Sequence, residues 1–365
     1  MIRCSTVVGA VLVLSSALTA SLDAQVGAAR LYVPNQDDAT ITVIALPDHK
    51  VVTTLALTAL GFGSTAKPHH VQVDPDGRHW YVTLIGAGKL LKFNEQNQIV
   101  GSVDLEVPGL IAIDPTSDKL LVGRSMSAVN PPSRLAVIDR REMKLLAEYD
   151  VFFPRPHALV VHPNGKYAYA ASLGVNQFAS LRMEDGEQTL VDIEGAPRTL
   201  TQFSISPDGN WLLVTAESSN QLLVFSLADS QTPRLVNQIP MAAGPFESIF
   251  TFDGRWVFVT NLRANQVSMI DPEGWRVVAE ITDPSLVQPH GLALSPDGRY
   301  VYVSSRHQSG GAHDHEGNKA IMSGTVTVVC IATKTVVAVV PAGNYAAGLG
   351  ATRPTQLPDR PGPCS

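Results

Sequence analysis

The sequence predicts an all-β chain, a seven-bladed β-propeller of four-stranded antiparallel blades, and three observations carry the prediction. A strand ending in Ser-Pro-Asp-Gly or a near variant is followed each time by a strand rich in Tyr, Val and Trp. The proline-equivalent positions of this unit are Pro75, Pro115, Pro163, Pro207, Phe252 and Pro296, so the spacings are 40, 48, 44, 45 and 44 residues. A unit of this length that holds only short strands and turns cannot bury its own apolar face, and radial repetition solves that problem. The third observation is at the ends. LYVPNQDDATITVIALPDHKVVTTL supplies three outer strands with no inner strand before them, and AAGLGA near the C-terminus reads as an inner strand with no partners after it. Pairing the two completes a seventh blade and closes the ring.

Each part of the unit has a local reason. Pro-Asp-Gly or Pro-Asn-Gly makes a tight turn, because proline presets φ, the Asx side chain caps the turn and glycine takes positive φ. Inner strands are expected at residues 69–74, 109–114, 157–162, 201–206, 246–251 and 290–295. The second strands (WYVTL, YAYAAS, WLLVTA, WVFVTN, YVYVSS) alternate bulky residues that pack between blades, so their aromatics are core.

Outside the repeats, residues 1–24 read as a secretory signal peptide, with one positive charge at Arg3, an apolar run from about Val7 to Ala20, and cleavage after Ala24 or Ala20. The propeller then occupies 25–352 and a Pro-rich tail 353–365. The expected location is the periplasm or the exterior. The apolar run is short for a membrane span, and no other segment approaches the length needed. Cys4 falls in the leader. Cys330, in an apolar strand, and Cys364, in the tail, read either as a disulfide or as two free thiols. A net charge of −6 gives no electrostatic footprint for nucleic acid, and a closed ring is expected to act as a monomer.

Aligned on the turns, Pro68-His69, Pro156-His157 and Pro289-His290 share one register, which holds Gly109, Thr201 and Phe246 in the other units. In a propeller this register opens the strand nearest the axis. With the split unit as blade 1, the histidines fall on blades 2, 4 and 7 and can converge at the channel mouth. Strand direction places the loop between second and third strands on the same face, and in blade 7 that loop reads RHQSGGAHDHEGNKAIMS, bringing His307, His313, Asp314, His315 and Glu316. His49, His79 and His162 belong to the opposite face. Neutral imidazoles without a nearby thiolate suit copper, zinc, nickel or iron. The expected metal set is therefore His69, His157 and His290, with His70, His313 or His315 adding a ligand, and copper or zinc is the expected ion. The structural alternative is that a Pro-His entrance caps a strand through a ring-to-backbone hydrogen bond.

The segments LYVPNQDDATITVIA, VTNLRANQVSMID and VYVSS…SGTVTVVCIATKTVVAVV resemble the YVTN repeats of extracytoplasmic seven-bladed propellers, including the YncE-like proteins. That resemblance implies the fold over nearly the whole chain after the leader. For function it implies several classes, because relatives of this type include binding proteins, lactonase-like enzymes and tetrapyrrole proteins. His69-His70 is similar to the paired histidines of the nitrous-oxide reductase propeller, but the aligned Thr201 and Phe246 leave too few ring histidines and no cupredoxin domain is present. Propellers of the heme d1 family, the NirF type among them, share the fold. Their likeness implies a carboxylate-rich tetrapyrrole held by rim cations, here Lys67, Arg155, Arg198, Arg306 and Arg353, with Arg124 near a second-strand end. A lactonase-like reading would make Glu247, one residue past the aligned register, a general base. A metal site would imply a periplasmic redox protein as partner, and a scaffold would use the loops at 124–134 and 306–323. No nucleophile elbow, phosphate loop or dinucleotide fingerprint occurs.

Overall fold

The computed structural model describes residues 29–46, 48–126, 130–307, 323–354 and 363–364. The expected signal peptide and His313, Asp314, His315 and Glu316 lie outside the described residues.

Seven four-stranded antiparallel sheets form the ring, with one short 3-10 turn at Leu57–Leu60. Six sheets are continuous in sequence. The seventh orders Gly350–Ala351, Arg30–Asn35, Thr40–Ala45 and Lys50–Ala56, with Leu31 opposite Ala351 and Tyr32 opposite Gly350. The closing segment also bridges sideways, from Gly348 to His70 of blade 2. A side chain at position 348 would put its Cβ 2.6 Å from His70 Cδ2, so this approach requires glycine.

The core lies between blades. Seven apolar clusters fill the seven blade-to-blade interfaces, as when Leu121 and Val137 of blade 3 meet Leu159 and Ala170 of blade 4. Between blades 1 and 2, Trp80 stacks on Tyr32 and Phe93 with ring centroids 4.4 and 4.1 Å apart. Burial of each such large side chain stabilises by roughly 1.5–3 kcal/mol. Outer strands alternate exposed and half-buried residues, as the period of two requires.

The turns follow the expected chemistry. Asp76, Asp208, Asp253 and Asp297 each accept the N–H two residues on, and Gly77, Gly209, Gly254 and Gly298 take positive φ. Blade 3 departs from its expected inner strand: only Ile111–Ile113 pairs, because Val107 turns the chain at positive φ and Gly109 meets Gly123 outside the ladder.

Cys330 and Cys364 form a disulfide, with Cα atoms 6.0 Å apart, which settles the alternative the sequence left open. The tail returns to the blade 7 turn, where Arg299 reaches the Pro363 carbonyl. Among the described residues no helix is long and apolar enough to cross a membrane.

Candidate functional site at the channel mouth

Inner strands begin with a bulge, and the bulge positions the candidate residues. The ladder slips between Pro68 and Val71, Pro156 and Ala158, Leu200 and Phe203, Pro245 and Ser248, and Pro289 and Leu292. The skipped residues include His69, His70, His157, Thr201, Gln202, Phe246, Glu247 and His290. An unpaired residue is released from the alternation of the strand and can be re-aimed, here toward the axis.

Second-strand hydroxyls replace the lost ladder bonds. Thr215 Oγ1 accepts from Gln202 N–H and donates to the Phe246 carbonyl at 2.7 Å. Thr260 Oγ1 accepts from Glu247 N–H and donates to the His290 carbonyl at 3.1 Å. Ser304 Oγ accepts from Gly291 N–H and donates to the Ala347 carbonyl, and Thr83 donates to the Gly109 carbonyl. Each hydroxyl ties the entrance of its own blade to that of the next. These residues were missed in the sequence, although the recurring Val-Thr or Val-Ser of the second strands is their signal.

The three registered histidines converge. The His69 ring centroid lies 6.1 Å from that of His157 and 6.3 Å from that of His290, and all three are buried. His157 Nδ1–H donates to the Thr201 carbonyl at 2.7 Å, and His69 Nδ1–H to Gln36 Oε1 at 3.2 Å. Both tautomers leave Nε2 with its lone pair free. His69 Nε2 and both ring nitrogens of His290 are buried without a protein partner. Burial holds all three pKa values below the imidazole range, His157 at about 4, and the nearby Arg306 guanidinium pushes the same way, so the rings are neutral. Three imidazoles sharing one ion at bonds of about 2.0–2.1 Å bring their centroids to roughly 5 Å. The trio is therefore slightly open, and its nitrogens do not all lie within 4.8 Å of one another.

Cations rim this cluster. The Arg306 guanidinium lies 4.3 Å from the Tyr345 ring centroid and 5.2 Å from that of Phe246, which itself packs on His290 at 4.4 Å. Among the described residues it has no acidic partner, and its Nε is buried and unbonded, as is that of Arg155. Lys67 is exposed. Arg198 is held by Gln221 and the Glu194 carbonyl, and Arg124 by Glu106 and Glu148, so both serve the scaffold. Sequence reasoning missed Gln36 and Tyr345 as mouth residues, because they come from two separate turns, and gave Phe246 a place in the register without a role there.

The remaining candidates stand elsewhere. His70 Nδ1 accepts from Ile111 N–H at 3.1 Å, so its other nitrogen carries the proton and offers no lone pair to a metal beside His69. Its side chain lines the channel on the turn side, as do Glu247 and Arg353. This placement separates Arg353 from the rim cations, because the closing strand carries it past the mouth. Burial pushes the Glu247 carboxyl up to about 8, which keeps it protonated at neutral pH rather than an ionised base. His307 Nε2 is used within blade 7, by the Ser285 carbonyl and Thr325. Asp74, Asp76 and His79 bring three ligand atoms within 4.8 Å on the opposite face, but Arg140 and Tyr81 already engage the Asp74 carboxylate. That cluster is an ion pair of the scaffold.

No family model matches the chain. The YncE protein of Salmonella typhimurium, uncharacterized, is 28% identical over 116 residues, covering 32% of this chain and 31% of that protein. The chain spans between a fifth and a half of the length of the curated relatives it matches. Among solved structures, the periplasmic gluconolactonase PpgL of Pseudomonas aeruginosa superposes with a TM-score of 0.70 at 18% identity, covering 90% of this chain and 99% of that one. The dihydro-heme d1 dehydrogenase NirN, in complex with DHE, gives 0.59 at 16% identity, covering 88% and 74%. At such identities these structures speak to the fold alone. The chain is a seven-bladed β-propeller of four-stranded blades, similar to the YncE protein over about a third of its length.

Proposed function

We propose that the protein is an exported binding propeller whose mouth holds a transition-metal ion, copper or zinc, on His69, His157 and His290 and presents it to a small anionic ligand. The observation that carries this reading is the pattern of ring nitrogens: two anchored Nδ1–H groups leave Nε2 free on His69 and His157, and His290 has neither nitrogen partnered. Anchoring the far nitrogen on an oxygen acceptor is how imidazole ligands are oriented. Arg306 and Arg155 at the rim favour an anion as the remaining ligand. An oxidising compartment fits the disulfide.

Metal analysis of protein purified without a histidine tag tests the site. About one equivalent of copper or zinc is expected, falling to background in the triple His69→Ala, His157→Ala, His290→Ala variant. Equal metal in both proteins overturns the reading.

A second reading rests on Arg306, whose guanidinium has aromatic faces on two sides and no acid partner among the described residues. It could meet a tetrapyrrole carboxylate while one histidine serves as axial ligand. Titration with a heme-type ligand would then shift its main absorption band, and His157→Ala would abolish the shift. A flat titration removes this reading. A lactonase role for Glu247 would have to act from the turn side of the channel.

A further inference from the structure

Beyond the histidine layer the channel opens into a chamber of about 550 Å³, lined by inner-strand residues down to the Pro-Asp-Gly turns. The volume is that of an ordinary small-molecule pocket. Its wall is apolar for much of its height, with polar groups at defined points. Gln202 uses Oε1 to accept from Phe203 N–H, which leaves its amide NH2 to donate, and the Ser204 and Ser248 hydroxyls pair at 2.7 Å. Gln72 and Glu247 join them in the lining.

Charge decides what such a chamber accepts. Arg353 follows the closing strand and reaches the chamber from the turn side. Protein surrounds it closely enough to disfavour its charge, yet its side chain remains exposed to the chamber. Among the described residues it has no acidic partner. The one carboxyl in the lining is Glu247, which burial keeps protonated at neutral pH. A lone guanidinium in a cavity otherwise lined by neutral donors and acceptors selects an anion with a planar, two-oxygen end.

We propose that this turn-side chamber is a second binding site, distinct from the mouth, which takes a small hydroxylated carboxylate with its anionic end on Arg353 and its hydroxyl-bearing body against Gln72, Gln202 and the Ser204–Ser248 pair. The proposal is independent of any metal at the mouth. Gluconate and sorbitol are suitable probes, because they share a hydroxylated chain and differ in the carboxylate.

Titration calorimetry on the full chain, stripped of metal by chelation, tests it. Gluconate is expected to bind with a dissociation constant of about 1 mM or below, and sorbitol at least tenfold more weakly. Arg353→Met should weaken gluconate by about tenfold or more, with an unchanged thermal midpoint in the absence of ligand, and the triple-histidine variant should bind as the parent does. Should Arg353→Met not fold, Arg353→Lys replaces it and is expected to weaken binding by a smaller factor, since it keeps the charge and loses the fork. Equal binding of both probes, no gluconate binding at about 10 mM, or loss in the triple-histidine variant with Arg353→Met unaffected would each overturn the proposal. The last outcome would move the anion to Arg306.

Discussion

His157 of blade 4 donates from Nδ1 to the carbonyl of Thr201, the residue at its own register one blade further round, at 2.7 Å. In blades 2, 5, 6 and 7 the corresponding link is made by a second-strand hydroxyl, from Thr83, Thr215, Thr260 and Ser304. Blade 4 has Ala171 there, so the imidazole supplies the missing donor. One ring thus joins two blades with one nitrogen and faces the mouth with the other.

His157→Ala should therefore cost more than its apolar contacts, about 1–3 kcal/mol for the buried carbonyl left without a donor. Ala171→Ser is expected to offset part of that loss in the double variant by restoring the hydroxyl link. Denaturant unfolding of the four proteins of the cycle measures the coupling, and strict additivity of the two changes would contradict the substitution of ring for hydroxyl.

Thr260→Val keeps shape and removes the hydroxyl that serves both Glu247 N–H and the His290 carbonyl. A destabilisation of about 1–3 kcal/mol is expected, and at the proposed metal site a weaker hold on the ion, because His290 loses its backbone tether. A change in thermal midpoint indistinguishable from that of an exposed threonine variant would show that the link carries no weight.

Stability of the metal-free protein should peak at about pH 7. Four buried imidazoles have lowered pKa values, His70 to about 3 and His157 to about 4, with His69 and His290 well below the usual value. The unfolded chain, with imidazoles at about 6.5, takes up these protons first as pH falls, so stability present above that value is lost toward pH 4. Glu247 works in the opposite sense. Its folded value of about 8 lies above its unfolded one, so its contribution is complete at low pH and disappears as pH rises to 8. The four imidazoles outweigh the single carboxyl up to about pH 7, and above that the carboxyl prevails, at about 1.4 kcal/mol per pH unit. Glu247→Gln should flatten the alkaline limb and leave the acid limb, which a series of unfolding midpoints from pH 4 to about 9 would reveal.

Cys364→Ser should lower stability by about 2–4 kcal/mol and release the tail from the blade 7 turn. Limited proteolysis with a protease of broad specificity is the direct readout, because proline follows both Arg353 and Arg360 and blocks trypsin there: loss of the segment after residue 353 is expected to accelerate in the variant and in reduced protein, while the blade core stays protected. Equal cleavage rates would mean that the tail is held by other contacts.

The fold was legible because Pro-Asp-Gly punctuation recurs at nearly constant spacing and each turn residue has one job. The histidine register was legible for the same reason, since Pro68, Pro156 and Pro289 mark the strand entrances. What periodicity could not reveal is which way neighbouring residues point once the ladder slips. His69 turns to the mouth and His70 to the chamber, and Phe246 and Glu247 divide in the same way. Strand alternation gives no rule for a bulge. Arg353 was misplaced among the rim cations because the sequence does not say how far the closing strand descends. The disulfide stayed one of two open readings for a related reason, as Pro-rich composition does not say where a tail returns.

Gln36, which orients His69, and Tyr345, on which Arg306 rests, are separated by nearly the whole chain and meet where the first outer strands join the last inner one. A nascent or truncated polypeptide can present His69 long before it owns the seam that steadies it. If the mouth binds a ligand as proposed, its capture is tied to the closing segment: until that segment zips into blade 1, His69 lacks a steady Gln36 partner and the pore has neither its Tyr345 wall nor the Arg353 cation.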